Sequence, residues 1–273
     1  MERALLKLKE RDKRLISILN DTINFLDDFI NNIKKHYIAK FEKQPFRFLC
    51  FGYLKITQNN LRAIVTLAEN NIIDQIQYIT RNILEMVVTL YYLGNGERDK
   101  LANRFLYFEK VFKYKFMKAM EEHPKLFKVL LDEGKIEEKE EEFEIYKRDY
   151  GLISNHINSW SAKNLFEMID NINDEADKKH ILKCYRIMAA WDKSFMHPTE
   201  QYLKQLFEIK PDSVDFYNYK NIRLVYTKEL SDLIIKKCFN RFSKSRIAPT
   251  EKFNALKIRQ KSYKEFLRNN NLE

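Results

Sequence analysis

Apolar residues recur at intervals of three and four along most of the chain, and this spacing constrains the fold more than any other feature of the sequence. The pattern runs through Leu15–Ile33, Leu54–Glu69, Ile72–Leu93 and Ala176–Met196. An α-helix places such positions on one face, so each segment predicts an amphipathic helix. No segment of six residues alternates cleanly between apolar and polar side chains. The pattern therefore predicts an all-α protein, a multi-helix bundle with long N-terminal and C-terminal helices.

Proline, glycine and asparagine mark the ends of the predicted helices. Gln44-Pro45 follows the first helix, Asn70-Asn71 separates the second from the third, and Gly94-Asn95-Gly96 ends the third. We expect a connection over Asp212–Asn218 and a last long helix over Tyr219–Phe242. These boundaries divide the chain into a long N-terminal helix (1–43), a helical core (44–210) and a C-terminal helix with a basic tail (211–273).

Cysteine content and hydropathy indicate the compartment. Three widely separated cysteines, an odd number, cannot form a complete disulfide framework, which favours a reducing environment. The longest apolar-rich stretch, Ile83–Leu93, is far shorter than the roughly 20 residues needed to cross a bilayer. No histidine stands in a H-E-x-x-H or paired-cysteine pattern. We therefore expect a cytoplasmic protein with no membrane contact, no metal and no cofactor.

Positive charge is concentrated at the C-terminus. The formal net charge is +10, and eleven basic residues against three acidic ones lie between positions 236 and 273. Such a tail can displace counterions from phosphates, which makes Lys257, Arg259 and Lys261 candidate nucleic-acid contacts. The alternative is a solvated helix end with favourable cations near its C-terminus.

A polar motif ends the helix predicted over Ala176–Met196. Lys193 and Ser194 stand four and three residues before His197, so the three can share a helix face, and Pro198 follows. An imidazole can take a proton from a ribose 2′-hydroxyl, and a lysine can neutralise phosphate charge. The alternative is a structural histidine at a helix C-terminus, stabilised by the helix dipole and by Ser194.

Arg81 and Glu85 form an i, i+4 pair on an otherwise apolar helix. A surface salt bridge is the plain interpretation. A partly buried pair would need partners, and Arg104 on the next helix is a candidate neighbour. Such a network can serve as architecture or as a phosphate site, and the sequence leaves both open.

Further candidates for nucleic-acid contact lie near aromatic residues. Tyr185 and Arg186 precede His197 on its helix, and Lys163 follows Trp160. Lys163 is a candidate cationic contact, although a tryptophan is more often part of the core.

Four blocks in order resemble the bacterial domain-of-unknown-function family numbered 5677 over roughly Gln44–Leu203. They are Arg81-Asn-Ile-Leu-Glu85 with Tyr91-Tyr92-Leu93, Arg104-Phe-Leu-Tyr-Phe-Glu109, Trp160-Ser-Ala-Lys163 with Glu167-Met168, and Tyr185-Arg186 with Ser194-Phe-Met-His197-Pro198. The resemblance implies an all-helical fold and carries no assigned reaction.

The helical make-up and the His motif also invite a distant comparison with HEPN ribonucleases. In those proteins an arginine and a histidine meet at a dimer interface, and cleavage needs no metal. Here Ala190, Trp191 and Asp192 precede His197 in place of an arginine, so Arg81 would supply the cation from another helix. The comparison implies a dimeric, RNA-directed effector, a ribonuclease toxin in antiviral defence. The alternative is a non-catalytic binding or assembly module with a protein partner, in which Arg81, Glu85, Trp160 and His197 form a buried polar support.

Overall fold

The computed structural model describes residues 2–37, 44–122, 133–149, 161, 163–195, 210, 213–243 and 250–269. Trp160 and His197 lie outside these residues. The described residues contain helices and turns and no strand, as the sequence predicts for an all-α protein. The described part of the chain forms nine helices: α1 (Glu2–Tyr37), α2 (Pro45–Glu69), α3 (Ile73–Leu93), α4 (Arg98–Glu122), α5 (Glu133–Asp149), α6 (Leu165–Asp170), α7 (Glu175–Phe195), α8 (Val214–Ser243) and α9 (Thr250–Asn269).

Helices α1, α2, α3 and α8 pack together and form the centre of the bundle. The apolar stripe predicted along α1 is buried, including Leu15, Leu19, Leu26 and Phe29. These side chains share one core with buried residues of α2, α3 and α8. Burial of aliphatic side chains at about 25 cal/mol per Å² is the main favourable term in holding such helices together.

The remaining helices pack around this centre. α5 packs on α4, which contacts α2, while α6 and α7 lie against α3, and α9 lies against α1. The core therefore receives residues from all three predicted segments of the chain, because Leu15 of α1, Leu54 of α2 and Leu224 of α8 belong to the same cluster.

Two turns join the central helices where the sequence predicts them. Asn71, between α2 and α3, has a φ of 58°, and Gly96, between α3 and α4, has a φ of 59°. Asparagine and glycine are the residues that tolerate this left-handed conformation. The predicted breaks at Asn70-Asn71 and Gly94-Asn95-Gly96 are thus confirmed.

A row of polar residues on α8 is buried against α1 and α3. The Arg223 guanidinium donates to Gln77 Oε1 at 2.8 Å, and the hydroxyl oxygens of Thr227 and Thr80 lie 2.7 Å apart. Asn221 Nδ2 donates to the carbonyl of Leu8 at 3.1 Å. Because buried polar groups need partners, this row fixes the register of α8 against its neighbours.

Three details of the sequence prediction were wrong. α2 begins at Pro45 rather than Leu54, since proline is tolerated in the first turn of a helix. The connection expected over Asp212–Asn218 is largely helical, because the hydroxyl of Ser213 accepts a hydrogen bond from the Phe216 amide and starts α8. On α4, the spacing of Phe105, Phe108, Phe112 and Phe116 predicts one apolar stripe. Phe112 is 61% exposed, however, and does not extend the buried part of that stripe at Phe108.

Within the described residues, no helix is both long enough and apolar enough to cross a membrane.

Candidate nucleic-acid interface

The predicted ion pair on α3 is present and lies at the protein surface. Arg81 Nε and Glu85 Oε1 are 3.0 Å apart, with 27% of the Arg81 side chain and 53% of the Glu85 side chain exposed. The guanidinium also lies 6.0 Å from the centre of the Tyr185 ring on α7, at the outer limit for a cation–π contact. Glu85 and Tyr185 thus hold the Arg81 guanidinium from two sides, in reach of solvent.

Phe166 lies beside Tyr185, and a second cation, Lys163, lies beside Tyr92 further along α3. The rings of Phe166 and Tyr185 have centroids 6.2 Å apart, and Phe166 is 47% exposed. The Lys163 ammonium lies 5.9 Å from the centre of the Tyr92 ring. We call the surface formed by these side chains of α3, α6 and α7 the α3–α7 surface: Arg81, Glu85, Tyr92, Lys163, Phe166 and Tyr185.

Local hydrogen bonds fix the segment that carries Lys163 and Phe166. Asn164 caps α6 by accepting a hydrogen bond from the Glu167 amide at 2.9 Å, and Glu167 accepts one from the Asn164 amide at 2.8 Å. This is a capping box. Asn95 after α3 donates to the carbonyl of Asn171 at 2.6 Å, which ties the far end of α6 to α3. The short helix is therefore held at both ends.

The other residues predicted near His197 are placed along α7. Arg186 is exposed and follows Tyr185 directly. Lys193 and Ser194 lie in the last turn of the helix, and His197 lies outside the described residues. Arg104 is on α4, where its carbonyl accepts a hydrogen bond from the Tyr146 hydroxyl at 3.3 Å, so this turn of α4 lies against α5.

The three candidate residues of the basic tail lie on α9, which packs on α1. The Lys257 ammonium is 4.4 Å from the centre of the Phe253 ring. Lys261 is 80% exposed and lies 3.9 Å from Glu265. Arg259 is on the same helix. The Phe253 ring itself stacks on Phe239 of α8 with centroids 4.0 Å apart, so the apolar side of the tail is part of the core.

A second group of reactive side chains was missed by the sequence analysis. His180 and Cys184 of α7 face Glu229 of α8, and their donor atoms all lie within 4.8 Å of one another. The His180–Cys184 spacing of four residues on a helix was the available signal, but Glu229 is distant in sequence. Burial, aided by the Glu229 charge, raises the pKa of the Cys184 thiol to about 12.

The α3–α7 surface offers two kinds of interaction to a ligand. Arg81 and Lys163 provide cations for phosphate groups, and Tyr92, Phe166 and Tyr185 provide ring faces for bases. Arg81 and Tyr92 are eleven residues apart on one helix, which is three turns or about 16 Å. A strip of this length holding both cations and rings suits an extended polyanion with flat groups better than a small metabolite.

The fold and this surface define an all-α bundle that presents cations and aromatic rings together on helices packed around α3. The chain belongs to the family of unknown function DUF5677, whose sequence model matches residues 47–208. The matched region spans α2 to α7 and contains every member of the α3–α7 surface. No curated protein and no solved structure matches the chain.

Proposed function

We propose that this protein binds single-stranded RNA on the α3–α7 surface. The observation that carries the proposal is the presence of three aromatic rings and two cations, from α3, α7 and the segment 163–170, along one strip about 16 Å long. Proteins that bind single strands combine a positively charged track with aromatic faces on which bases stack. Unstacked bases are available in single-stranded RNA and not in a duplex, which is why single strands are the expected ligand.

Position and exposure support this role for individual residues. Phe166 is half exposed although it is large and apolar, and it lies beside Tyr185 rather than alone. The Arg81 guanidinium is anchored by Glu85 and by the Tyr185 ring, so less side-chain freedom is lost when it contacts a phosphate. Exposed Arg186 adds charge on the next position of α7.

The negative charge of Glu85 opposes phosphate binding, so the proposal predicts the effect of removing that charge. Its carboxylate lies 3.0 Å from Arg81 Nε and is half exposed. A phosphate approaching Arg81 meets this negative charge, which reduces the gain from the arginine. We expect Glu85→Gln to strengthen RNA binding, whereas a surface that binds no RNA would not respond to this change.

The binding experiment is a fluorescence-anisotropy titration of a labelled 12-nucleotide RNA of mixed sequence into the full-length protein. Stacking is worth about 1–3 kcal/mol per base, so we expect Tyr185→Ala to weaken binding about 5- to 150-fold. Tyr107→Ala is the matched control, because Tyr107 is 48% exposed on α4, a helix that contributes no residue to this surface. Equal affinities for wild type and Tyr185→Ala would refute the proposal.

We further propose that bound RNA is cleaved without a metal, with His197 as the acid/base group. Arg81, Lys193 or Arg186 would stabilise the phosphate charge. In the mechanism, His197 takes the 2′-hydroxyl proton, the 2′-oxygen attacks the adjacent phosphorus, and the 5′-oxygen leaves and takes that proton back from His197. The products are a 2′,3′-cyclic phosphate end and a 5′-hydroxyl end, with no net change in oxidation state.

Cleavage is tested with wild type and His197→Ala in the presence of EDTA. We expect cyclic phosphate ends from wild type alone, with equal melting temperatures for the two proteins. If the protein is a toxin, expression of the wild type should arrest the growth of bacteria, and expression of His197→Ala should not. RNA binding without any cleavage would instead favour the non-catalytic binding module.

The comparison with HEPN ribonucleases also leads us to propose a homodimer, with residues of both chains around one phosphate. The length of helix α1 does not support a dimer, because its apolar residues pack on α2, α8 and α9 within one chain. The test is the molar mass in solution from light scattering after size-exclusion chromatography. A monomeric, RNA-cleaving protein would exclude a shared site.

A further inference from the structure

From the second cluster of reactive side chains, we infer that His180, Cys184 and Glu229 bind a divalent cation of the zinc class. This inference does not depend on RNA binding, because the cluster is separate from the α3–α7 surface. The cluster joins α7 to α8, and it offers one imidazole nitrogen, one thiol sulfur and one carboxylate oxygen.

The three donor atoms lie within 4.8 Å of one another, and two of their three separations are already close to those in a zinc site. His180 Nε2 lies 3.7 Å from Glu229 Oε2 and 4.0 Å from Cys184 Sγ. Tetrahedral zinc with nitrogen and sulfur ligands at about 2.0 and 2.3 Å places these two donors about 3.6 Å apart. Zinc binding therefore requires His180 Nε2 and Cys184 Sγ to approach each other by only a few tenths of an ångström.

The contacts within the cluster are longer than good hydrogen bonds, so they do not by themselves explain why the three side chains lie together. A separation of 3.7 Å between His180 and Glu229 exceeds that of a good hydrogen bond, and the 4.0 Å contact to Cys184 is at the limit for sulfur. An ion between the donors would satisfy all three at once. Imidazole, thiolate and carboxylate are together a donor set that suits zinc rather than magnesium or calcium.

Access and rigidity also suit a metal site. His180 and Cys184 are four residues apart on one helix and therefore share a face. Cys184 is fully buried, while 37% of the His180 side chain and 32% of the Glu229 side chain are exposed. His180 and Glu229 line a pocket of about 340 Å³, which gives an ion a path of entry and leaves room for a fourth, solvent ligand.

The test uses Co²⁺ as a spectroscopic probe on the full-length protein after reduction and removal of metals with EDTA and buffer exchange. We expect one equivalent to bind and to produce thiolate-to-cobalt charge-transfer absorption in the near ultraviolet. Cys184→Ala should abolish this band, whereas Cys50→Ala, the control at a buried cysteine of α2, should keep it. Binding without the band would overturn the inference.

His180→Ala keeps the inference falsifiable if Cys184→Ala fails to fold, because the His180 ring is partly exposed. We expect this variant to bind Co²⁺ at least about 100-fold more weakly, and Zn²⁺ to raise the melting temperature of wild type but not of the variant. His36→Ala, at an exposed histidine of α1, is the matched control. Equal Co²⁺ affinities for wild type and His180→Ala would also overturn the inference, whatever the result of the RNA experiments.

Discussion

Lys220 of α8 donates a hydrogen bond to Asp12 of α1 with 2.8 Å between Nζ and Oδ2, and both residues are buried. The same ammonium lies 3.2 Å from Asn71 Oδ1, in the turn between α2 and α3. Burial raises the pKa of Asp12 more than the neighbouring Lys220 charge lowers it. One buried cation therefore joins three segments of the chain and offsets part of the cost of burying a carboxylate.

Removing this cation should destabilise the fold strongly. We expect Lys220→Met to lower the free energy of unfolding by about 3–5 kcal/mol, because Asp12 then becomes a buried charge without its partner. The double variant Asp12→Leu/Lys220→Met should recover most of the loss. The measurement is urea unfolding followed by circular dichroism at neutral pH.

Lys252→Met provides the matched control for this prediction. Lys252 also pairs with an aspartate of α1, Asp28, at 2.6 Å, but 61% of its side chain is exposed. Exposed pairs contribute about 0–1 kcal/mol, so this variant should unfold almost as wild type does. Similar losses of unfolding free energy in the two variants would show that burial does not make the Lys220 ion pair more important for stability.

The docking of the basic tail depends on one aromatic stack. Phe253 stacks on Phe239 and also lies 5.7 Å from Phe25 of α1, measured between ring centroids. Deleting a buried phenylalanine typically costs about 3–5 kcal/mol, which is enough to release a terminal helix. We expect Phe253→Ala to make α9 rapidly cleavable by trypsin, since the helix contains several lysines.

The control for α9 is Ile258→Ala. Ile258 lies on the same helix and is 66% exposed, so its truncation removes little buried surface. Its trypsin cleavage rate should match that of wild type. If both variants were cleaved at the wild-type rate, the stacking of Phe253 would not be what holds α9.

The helices could be predicted from the sequence because their signals are local. The turns at Asn71 and Gly96 have the residue types that a positive φ requires, and α3 and α7 begin and end within a residue of the predicted bounds. The starts of α2 and α8 were missed. Both depend on helix-start chemistry, Pro45 in a first turn and Ser213 as a cap, in stretches without clear three-four periodicity.

The buried polar contacts could not be predicted in the same way. Lysine and arginine are typical of exposed helix faces. Lys220 and Arg223 are nevertheless buried, because Asp12 and Gln77, on helices distant in sequence, accept their hydrogen bonds. Arg81, Glu85, Lys163 and Tyr185 of the α3–α7 surface were candidates from sequence motifs. The approach of the Phe166 ring to Tyr185 is a tertiary contact with no local signal.

The salt dependence of RNA binding should report the contribution of Arg81. Each phosphate neutralised on a single strand contributes about 0.7 to the slope of log K against log salt concentration. We therefore expect Arg81→Met to reduce the magnitude of the slope by about that amount. Arg62→Met is the control, because Arg62 is likewise paired with a carboxylate, Asp27 of α1, and is not a member of the α3–α7 surface. An unchanged slope for Arg81→Met would place this arginine outside the phosphate contacts.

The start of α7 provides a prediction on pH dependence. The Asp177 amide donates to Asp174 Oδ1 at 2.9 Å, and this hydrogen bond, with the nearby Lys236 charge, lowers the pKa of Asp174 below 3.8. A carboxyl whose pKa is lower in the folded state contributes stability above its unfolded pKa and loses it as the pH falls through the folded pKa.

We expect Asp174→Ala to lower the free energy of unfolding by about 1 kcal/mol at pH 7 and by clearly less at pH 3. Asp174→Asn should keep the cap, because asparagine accepts the same hydrogen bond, while losing the charge that responds to pH. Urea unfolding of the three proteins at both pH values distinguishes a charged cap from a merely exposed aspartate, for which the Ala and Asn variants would behave alike.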